Sequence, residues 1–246
     1  IEEFFAAVGL PIMQGYGLTE TSPLVSFNSP RDFKLGTVGK VLPGGELRIA
    51  EHGEILYRGP NVMLGYWGNE QATAETIDEE GWLHTGDIGY VDTDGFLTIT
   101  DRLKDIIVTL GGKNVAPQPI EGLILADPLF EHAVLLGDNR PYVTLLVKPS
   151  LPHVEALAAA AHWPGEIQDW LGSVELLDEL KRRVAEITKR LPSQDQPKDT
   201  KVLNEEFTMD NGLLTPTLKV RRREVEARFK ALVDEMYARY ERRGQD

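Results

Sequence analysis

Apolar and polar positions alternate in "GELRIAEHGEILYRG" and in "YVDTDGFLTIT", the pattern of paired, half-buried strands, and Asp94-Gly95 supplies the turn of the second pair. "IIVTLGGKNVAP" repeats the strand, turn, strand pattern, and "PIEGLILAD" reads as a helix. "HAVLLGDNRPYVTLLVKP" then gives two apolar strands around the turn-rich "GDNRP". Period 3.6 takes over in Leu177, Leu180, Val184, Ile187 and Leu191, and again in Val225, Phe229, Leu232, Met236 and Tyr240; both stripes predict core-facing helices. Near the start, Ile1, Phe4, Phe5 and Val8 share one helical face with Gly9 as the stop. "LPSQDQPKDTK" and "DNGLLTPT" are the most loop-like segments, and the second leads straight into Lys219. There is no internal repeat. Residues 35–100 therefore predict a small barrel- or sandwich-like β unit, and a second, α+β unit starts near residue 104.

Composition narrows the function. With 246 residues and 41% hydrophobic content the chain has room for a buried core in one or two domains. Lysine and arginine total 26 against 39 aspartates and glutamates, a formal charge of -13, which argues against nonspecific attraction to nucleic acid or anionic lipid. No apolar run reaches the ~18 to 20 residues of a membrane span. "IEEFFAAVGL" is acidic where a signal peptide is basic, so a cytoplasmic location is the default. The absence of cysteine removes disulfides, thiolate metal sites and cysteine nucleophiles together, and the five histidines lack metal-ligand spacing such as HExxH. A start at Ile1, inside an amphipathic stretch, leads us to expect a piece of a longer protein.

Several short stretches bear on candidate chemistry. "QGYGLTET" places glycines at Gly15 and Gly17 but has Glu20 where a dinucleotide fingerprint ends in glycine. Such a stretch can stack a base on Tyr16, bond a phosphate through Thr19 and hold Mg²⁺ through Glu20, although by itself an ordinary glycine-rich turn explains it better. In "GWLHTGD" and "TDRLKD", Asp87 and Arg102 could accept from and donate to ribose hydroxyls; singly, each reads as a surface charge. "TVGK" and "GGK" lack the spacing of a phosphate-binding loop and read as turns. Lys219 alone is an ordinary solvated lysine.

In series, "YGLTE", "GEILYRGPNVMLGYW", "GWLHTGD", "DRLKDIIVTLGGKNVAPQPIE" and "LTPTLKVRR" resemble the second half of an acyl-adenylate-forming (AMP-binding) enzyme. That superfamily comprises acyl-CoA synthetases, peptide-synthetase adenylation domains and firefly luciferase. "GGKNVAPQPIE", the "TLKVRR" form and the helical insertion around residues 153–191 are most similar to bacterial long-chain fatty acyl-CoA synthetases. The resemblance implies an α+β fold: residues 1–34 as the tail end of a large α/β subdomain, 35–103 as a β-barrel-like subdomain, and 104–246 as a mobile lid made of a hairpin and a three-stranded sheet with helices. It implies that Tyr16, with Gly15 and Gly17 beside it, stacks on adenine, that Thr19 touches phosphate and that Glu20 binds Mg²⁺. Asp87 and Arg102 would hold the ribose, Lys104 would sit at the hinge, and Gly111 and Gly112 would line the pantetheine channel of CoA. Lys219 would be the adenylation lysine. The implied reaction joins a fatty acid to CoA through an acyl-adenylate, using ATP, in a cytoplasmic enzyme with peripheral membrane contact; the alternatives are an adenylation domain that loads a carrier protein and a non-catalytic nucleotide-binding module.

The arrangement makes physical sense. A carboxylate attacking the α-phosphate of ATP brings two anions together, so positive charge must be supplied where negative charge accumulates. An ammonium ~4 Å from a phosphoryl oxygen contributes about 1 kcal/mol in water but about 4 kcal/mol at an effective dielectric near 20. A lysine on a closing domain excludes the water, and the same domain can swing away to admit a thiol. Two departures stand out. Many relatives place glycine just before the catalytic lysine where this chain has Leu218, which implies a stiffer arm. The family's Ser/Thr/Gly-rich phosphate loop and most of its acyl pocket lie upstream and are missing, so this chain by itself is expected to lack full ligase activity.

Overall fold

The computed structural model describes residues 2–243, and side chains for residues 2–238. The chain divides into two compact units, Ile1–Asp105 and Ile106–Asp246.

The first unit opens with α1 (Glu2–Ala7), then β1 (Gly15–Tyr16), β2 (Ser26–Phe27) and β3 (Lys40–Val41), which form a small three-stranded antiparallel sheet. It continues with β4 (Glu46–Ile49), β5 (Glu54–Arg58), α2 (Glu70–Thr76), β6 (Leu83–Val91) and β7 (Leu97–Arg102). The last four strands form one antiparallel sheet in the order β4-β5-β6-β7. Among the described residues this sheet stays open, so the barrel-like expectation is corrected to a four-stranded meander: Leu47, Ile49, Ile55, Tyr57, Leu97 and Ile99 find their apolar partners in Tyr16, Val25 and Val41 of the small sheet, without closing on themselves. The amphipathic start is helical over Glu2–Ala7, but its apolar face is only partly covered: Phe4 is 66% exposed and Val8, just past the helix, 57%, while Phe5 is half-buried; Ile1 lies outside the described residues.

Two turns of one design shape β6. Asp78 Oδ1 accepts from the backbone N–H groups of Glu80 and Trp82, Asp92 Oδ1 accepts from those of Asp94 and Phe96, and Gly81 and Gly95 take the left-handed conformation at φ +81 and +86. Between Ile88 and Gly89 the β6–β7 register shifts, so the inward alternation Leu83, Thr85, Asp87 is followed at once by buried Ile88. A bulge thus sits one residue past Asp87, where it bends the strand at the site described below.

The second unit comprises the hairpin β8 (Ile107–Val108) and β9 (Asn114–Val115), α3 (Pro117–Leu125), β10 (Phe130–Leu136), β11 (Thr144–Pro149), α4 (Leu151–Ala161), α5 (Ile167–Leu171), α6 (Val174–Thr188), β12 (Thr200–Val202), α7 (Arg222–Arg228) and α8 (Lys230–Arg243). β11 is the middle strand, antiparallel to β10 and parallel to β12. Both faces are covered, which explains why "HAVLL" and "TLLV" are continuously apolar. Ala133, Leu135, Leu145 and Val147 meet Ile120, Ile124, Leu180 and Val184 on one side, while Val134, Leu136 and Leu146 meet Val225, Val233 and Met236 on the other.

Ser173 caps α6 by accepting from the Leu176 N–H at 3.1 Å. The buried row of α6 is Leu176, Leu180, Val184 and Thr188, with Leu177 only half-buried and Leu191 beyond the helix end. The final stripe is split in two, because Phe229 leaves helical geometry at φ -105 and ψ 25 between α7 and α8; the side chain of Tyr240 lies outside the described residues. "LPSQDQPKDTK", expected as loop, leads into β12. No helix among the described residues is long and apolar enough to cross a membrane.

Candidate functional site

In the first unit the strip of residues 15–20 is held by its own backbone. Tyr16 accepts from the Val25 N–H at 2.8 Å, and the Thr21 hydroxyl, fully buried, both donates to the Leu18 carbonyl and accepts from the Leu18 N–H at 3.0 Å. A Cβ on Gly17 would stand 1.6 Å from the Pro23 carbonyl oxygen, so only glycine lets the two segments cross. The short helical turn Thr19–Thr21 that follows leaves Thr19 exposed and Glu20 half-buried.

Across from this strip stands Asp87, buried to 4% exposure and directly opposite Arg102 in the β6–β7 ladder. The Tyr16 hydroxyl donates to Asp87 Oδ2 at 2.6 Å, and Arg102 Nε lies 2.8 Å from Asp87 Oδ1. The Asp87 N–H donates to the Thr85 hydroxyl at 3.1 Å, which itself donates to the Ile55 carbonyl at 2.7 Å. Burial, and then the Asp87 carboxylate beside it, push the Tyr16 hydroxyl well above the ordinary phenol range, so it is a fixed donor. Each Asp87 oxygen keeps a lone pair, and the Arg102 side chain remains half-exposed. Gly17, Thr19, Glu20, Thr85, Gly86 and Arg102 line a cavity of about 460 Å³.

Glu20 Oε1 accepts from the Tyr66 hydroxyl at 2.8 Å. No cluster of three or more metal-ligating side chains occurs among the described residues. A lone carboxylate nonetheless suits Mg²⁺, which takes one or two carboxylates and fills its remaining positions with substrate phosphates and water.

The other candidates stand apart from this group in the chain. Lys104 is exposed in the turn Leu103–Asp105, at the end of the first unit. Gly111 and Gly112 form the exposed tip of the β8–β9 hairpin, and a Cβ on either would meet nothing within 4 Å. Lys219 is exposed on a short loop closed by the Leu214–Val220 bridge. Its N–H donates to the Thr215 hydroxyl at 3.0 Å and its carbonyl accepts from the Thr215 N–H at 2.8 Å. Leu218 before it adopts a left-handed φ of +59 and is 66% exposed. Thr85 and Tyr66 carry no signal of their own in the sequence, although they lie inside "GWLHTGD" and "GEILYRGPNVMLGYW".

Comparison with known proteins adds an independent finding. Residues 1–67 match the model of the AMP-binding enzyme family, and residues 104–241 match that of the AMP-binding enzyme C-terminal domain. The long-chain-fatty-acid–CoA ligase FadD15 of Mycobacterium bovis is 42% identical over 236 residues, and the human long-chain-fatty-acid–CoA ligase ACSBG1 is 32% identical over 262. These alignments take in 95% and 96% of this chain but only 39% and 36% of the relatives. Among solved structures, the Bacillus subtilis O-succinylbenzoate coenzyme A synthetase in complex with AMP is similar with a TM-score of 0.65 at 29% identity, over 90% of this chain and 42% of that one. An A-PCP didomain of a carboxylic acid reductase from Segniliparus rugosus, also with AMP, shares the fold at a TM-score of 0.73 and 23% identity, over 96% of this chain and 32% of its own.

Proposed function

The chain belongs to the family of AMP-binding enzymes, and on that premise we propose that it is the C-terminal portion of an ATP-dependent long-chain fatty acid–CoA ligase. The observation that carries this reading is the fixed group Tyr16–Asp87–Arg102 beside the cavity edged by Gly17, Thr19 and Glu20. Asp87 and Arg102 offer an acceptor and a donor to vicinal ribose hydroxyls. Tyr16 stiffens Asp87, and its ring lies under the base together with the Gly15 and Gly17 backbone. Thr19 offers its hydroxyl to a phosphate and Glu20 its carboxylate to Mg²⁺, which when bound supplies positive charge to the phosphates. The names of the relatives support a carboxylic acid as the substrate and CoA as the acceptor.

Lys219 is the charge for the adenylation step. Its ammonium has no partner among the described residues, so it is available to phosphoryl oxygens when the second unit closes about a hinge at Lys104. Gly111 and Gly112 then serve the second step. At Gly111 neither packing nor backbone conformation demands glycine, which supports a smooth passage for the pantetheine arm, whereas Gly112 takes a left-handed φ of +69 that the turn itself requires. The domain limits that go with this reading are residues 1–34, 35–103 and 104–246, with the remainder of the enzyme supplied by an N-terminal region. A cytoplasmic location with peripheral contact at the inner membrane face goes with this reading.

The test uses the complete protein, ATP and a fatty acid. Fatty-acid-dependent pyrophosphate release followed by thioester formation with free CoA is the expected result. Transfer only to a phosphopantetheinyl carrier protein would move the assignment to a carrier-loading adenylation domain, and nucleotide binding without pyrophosphate release would reject both.

A further inference from the structure

Tyr66 sits in a surface loop whose neighbours are bare. Leu64 and Trp67 are fully exposed, Tyr66 itself is 38% exposed, and it belongs to none of the three apolar clusters. Side-chain burial therefore does not explain why the loop holds its shape. Hydrogen bonds do. The Met63 N–H donates to the Glu20 carbonyl at 2.8 Å, which ties the loop to the nucleotide strip. At the other end the Tyr66 N–H donates to the Thr73 hydroxyl at 2.9 Å, and that hydroxyl donates in turn to the Asn69 carbonyl at 2.9 Å. Asn69 caps α2 through its side chain, which accepts from the Ala72 N–H at 3.0 Å, and its own N–H donates to the Tyr66 carbonyl at 3.2 Å. Gly65 permits this close seat: its φ is +145 and a Cβ there would stand 2.8 Å from a Thr73 methyl. The first turn of α2 thus fixes the backbone of Tyr66, and Tyr66 reaches back over the cavity edge to Glu20.

We propose that Tyr66 is a positioning residue for Glu20: by donating to Oε1 it leaves Oε2 as the oxygen presented to the divalent cation that accompanies the nucleotide phosphates. A glutamate on a half-exposed turn samples several rotamers, and a metal that uses a single protein carboxylate binds only those that point correctly. A phenol hydrogen bond to one oxygen selects among them before the ligand arrives, so the cost of ordering is not drawn from the metal's own affinity. Position and chemistry agree: Glu20 and Tyr66 line the same cavity, and Oε2 has no partner among the described residues.

The inference rests on the reading of Glu20 as the metal carboxylate, and the experiment separates the two. In the complete protein, Tyr66→Phe, Glu20→Gln and the double variant are titrated with Mn²⁺ in the presence of a nonhydrolysable ATP analogue, with bound metal read by electron paramagnetic resonance. The half-saturating Mg²⁺ for pyrophosphate release is measured in parallel. Tyr66→Phe is expected to weaken Mn²⁺ about tenfold, the size of one charged hydrogen bond, while the rate at saturating Mg²⁺ stays within about twofold. Glu20→Gln should weaken it at least as much, and Tyr66→Phe added to Glu20→Gln should change nothing further. If Glu20→Gln weakens Mn²⁺ and Tyr66→Phe does not, the positioning role is overturned and the Glu20 reading survives. If Glu20→Gln leaves Mn²⁺ binding unchanged, that reading fails and the role of Tyr66 falls with it.

Discussion

The two units present their candidate residues in opposite ways. In the first, Asp87 is buried, both of its oxygens are engaged, and its backbone N–H bonds Thr85, so the carboxylate has one position before any ligand arrives. In the second, Lys219 stands exposed on a loop that grips it only through the backbone, by way of Thr215. The first arrangement suits recognition, where prior order spares binding energy. The second suits chemistry, where an unpaired charge is brought to oxygens that become more negative only during reaction. On the proposed reading, a nucleotide site and a delivered charge differ in this way because their tasks differ.

Gly17→Ala should break the first arrangement most severely. With the Pro23 carbonyl where the new Cβ must go, the strip has to move, and we expect AMP binding to be lost and unfolding in urea to show a destabilisation of about 3 kcal/mol. Retained AMP affinity would show that the strip need not be fixed. Asp87→Ala comes next: it leaves the buried Tyr16 hydroxyl without its acceptor, for about 2 kcal/mol in stability, and should weaken AMP roughly tenfold or more by calorimetry.

A smaller effect probes the frame that carries Lys219. The guanidinium of Arg182, and after it that of Arg183, hold the Glu179 carboxyl on α6 at about 2 against an ordinary 4.5. A carboxyl with its folded-state pKa depressed stabilises the fold above its unfolded value and loses that contribution as pH falls toward the folded one. Stability measured from pH 5 to pH 2 should therefore drop by roughly 1 kcal/mol from this group, and Glu179→Gln should remove that part of the slope. Leu218→Gly should have the least effect on stability, within about 0.5 kcal/mol, because relief of the left-handed backbone is offset by a freer unfolded chain. If Leu218 makes the arm stiffer, limited proteolysis of the loop at residues 215–219 should nonetheless quicken; an unchanged cleavage rate would argue against a stiff arm.

Local rules made much of this visible in the sequence. The β4–β5 and β6–β7 hairpins, the β8–β9 hairpin, α3 and the β10–β11 pair follow from alternation and turn residues such as Asp94-Gly95. What stayed hidden depends on contacts far apart in the chain. Tyr16 and Asp87 are joined by a hydrogen bond over 71 positions, and Glu20 and Tyr66 over 46, distances at which periodicity carries no information. β12 leaves no pattern in the sequence because a three-residue strand inside a turn-rich segment has too few positions to alternate, and its place is set by pairing with β11. The break at Phe229 is hidden because a hydrophobic stripe continues across it. Open and closed sheets share one alternation, so the barrel-like reading could not be refined from strands alone.

The measurement that bears most directly on the contrast between the two regions is made on Lys219→Ala in the complete protein, with AMP affinity and the rate of acyl-adenylate formation determined side by side. A delivered charge predicts a fall of at least ~10² in that rate with AMP affinity within about threefold of the parent. An unchanged rate, or a loss of affinity that accounts for the whole loss of rate, would contradict it.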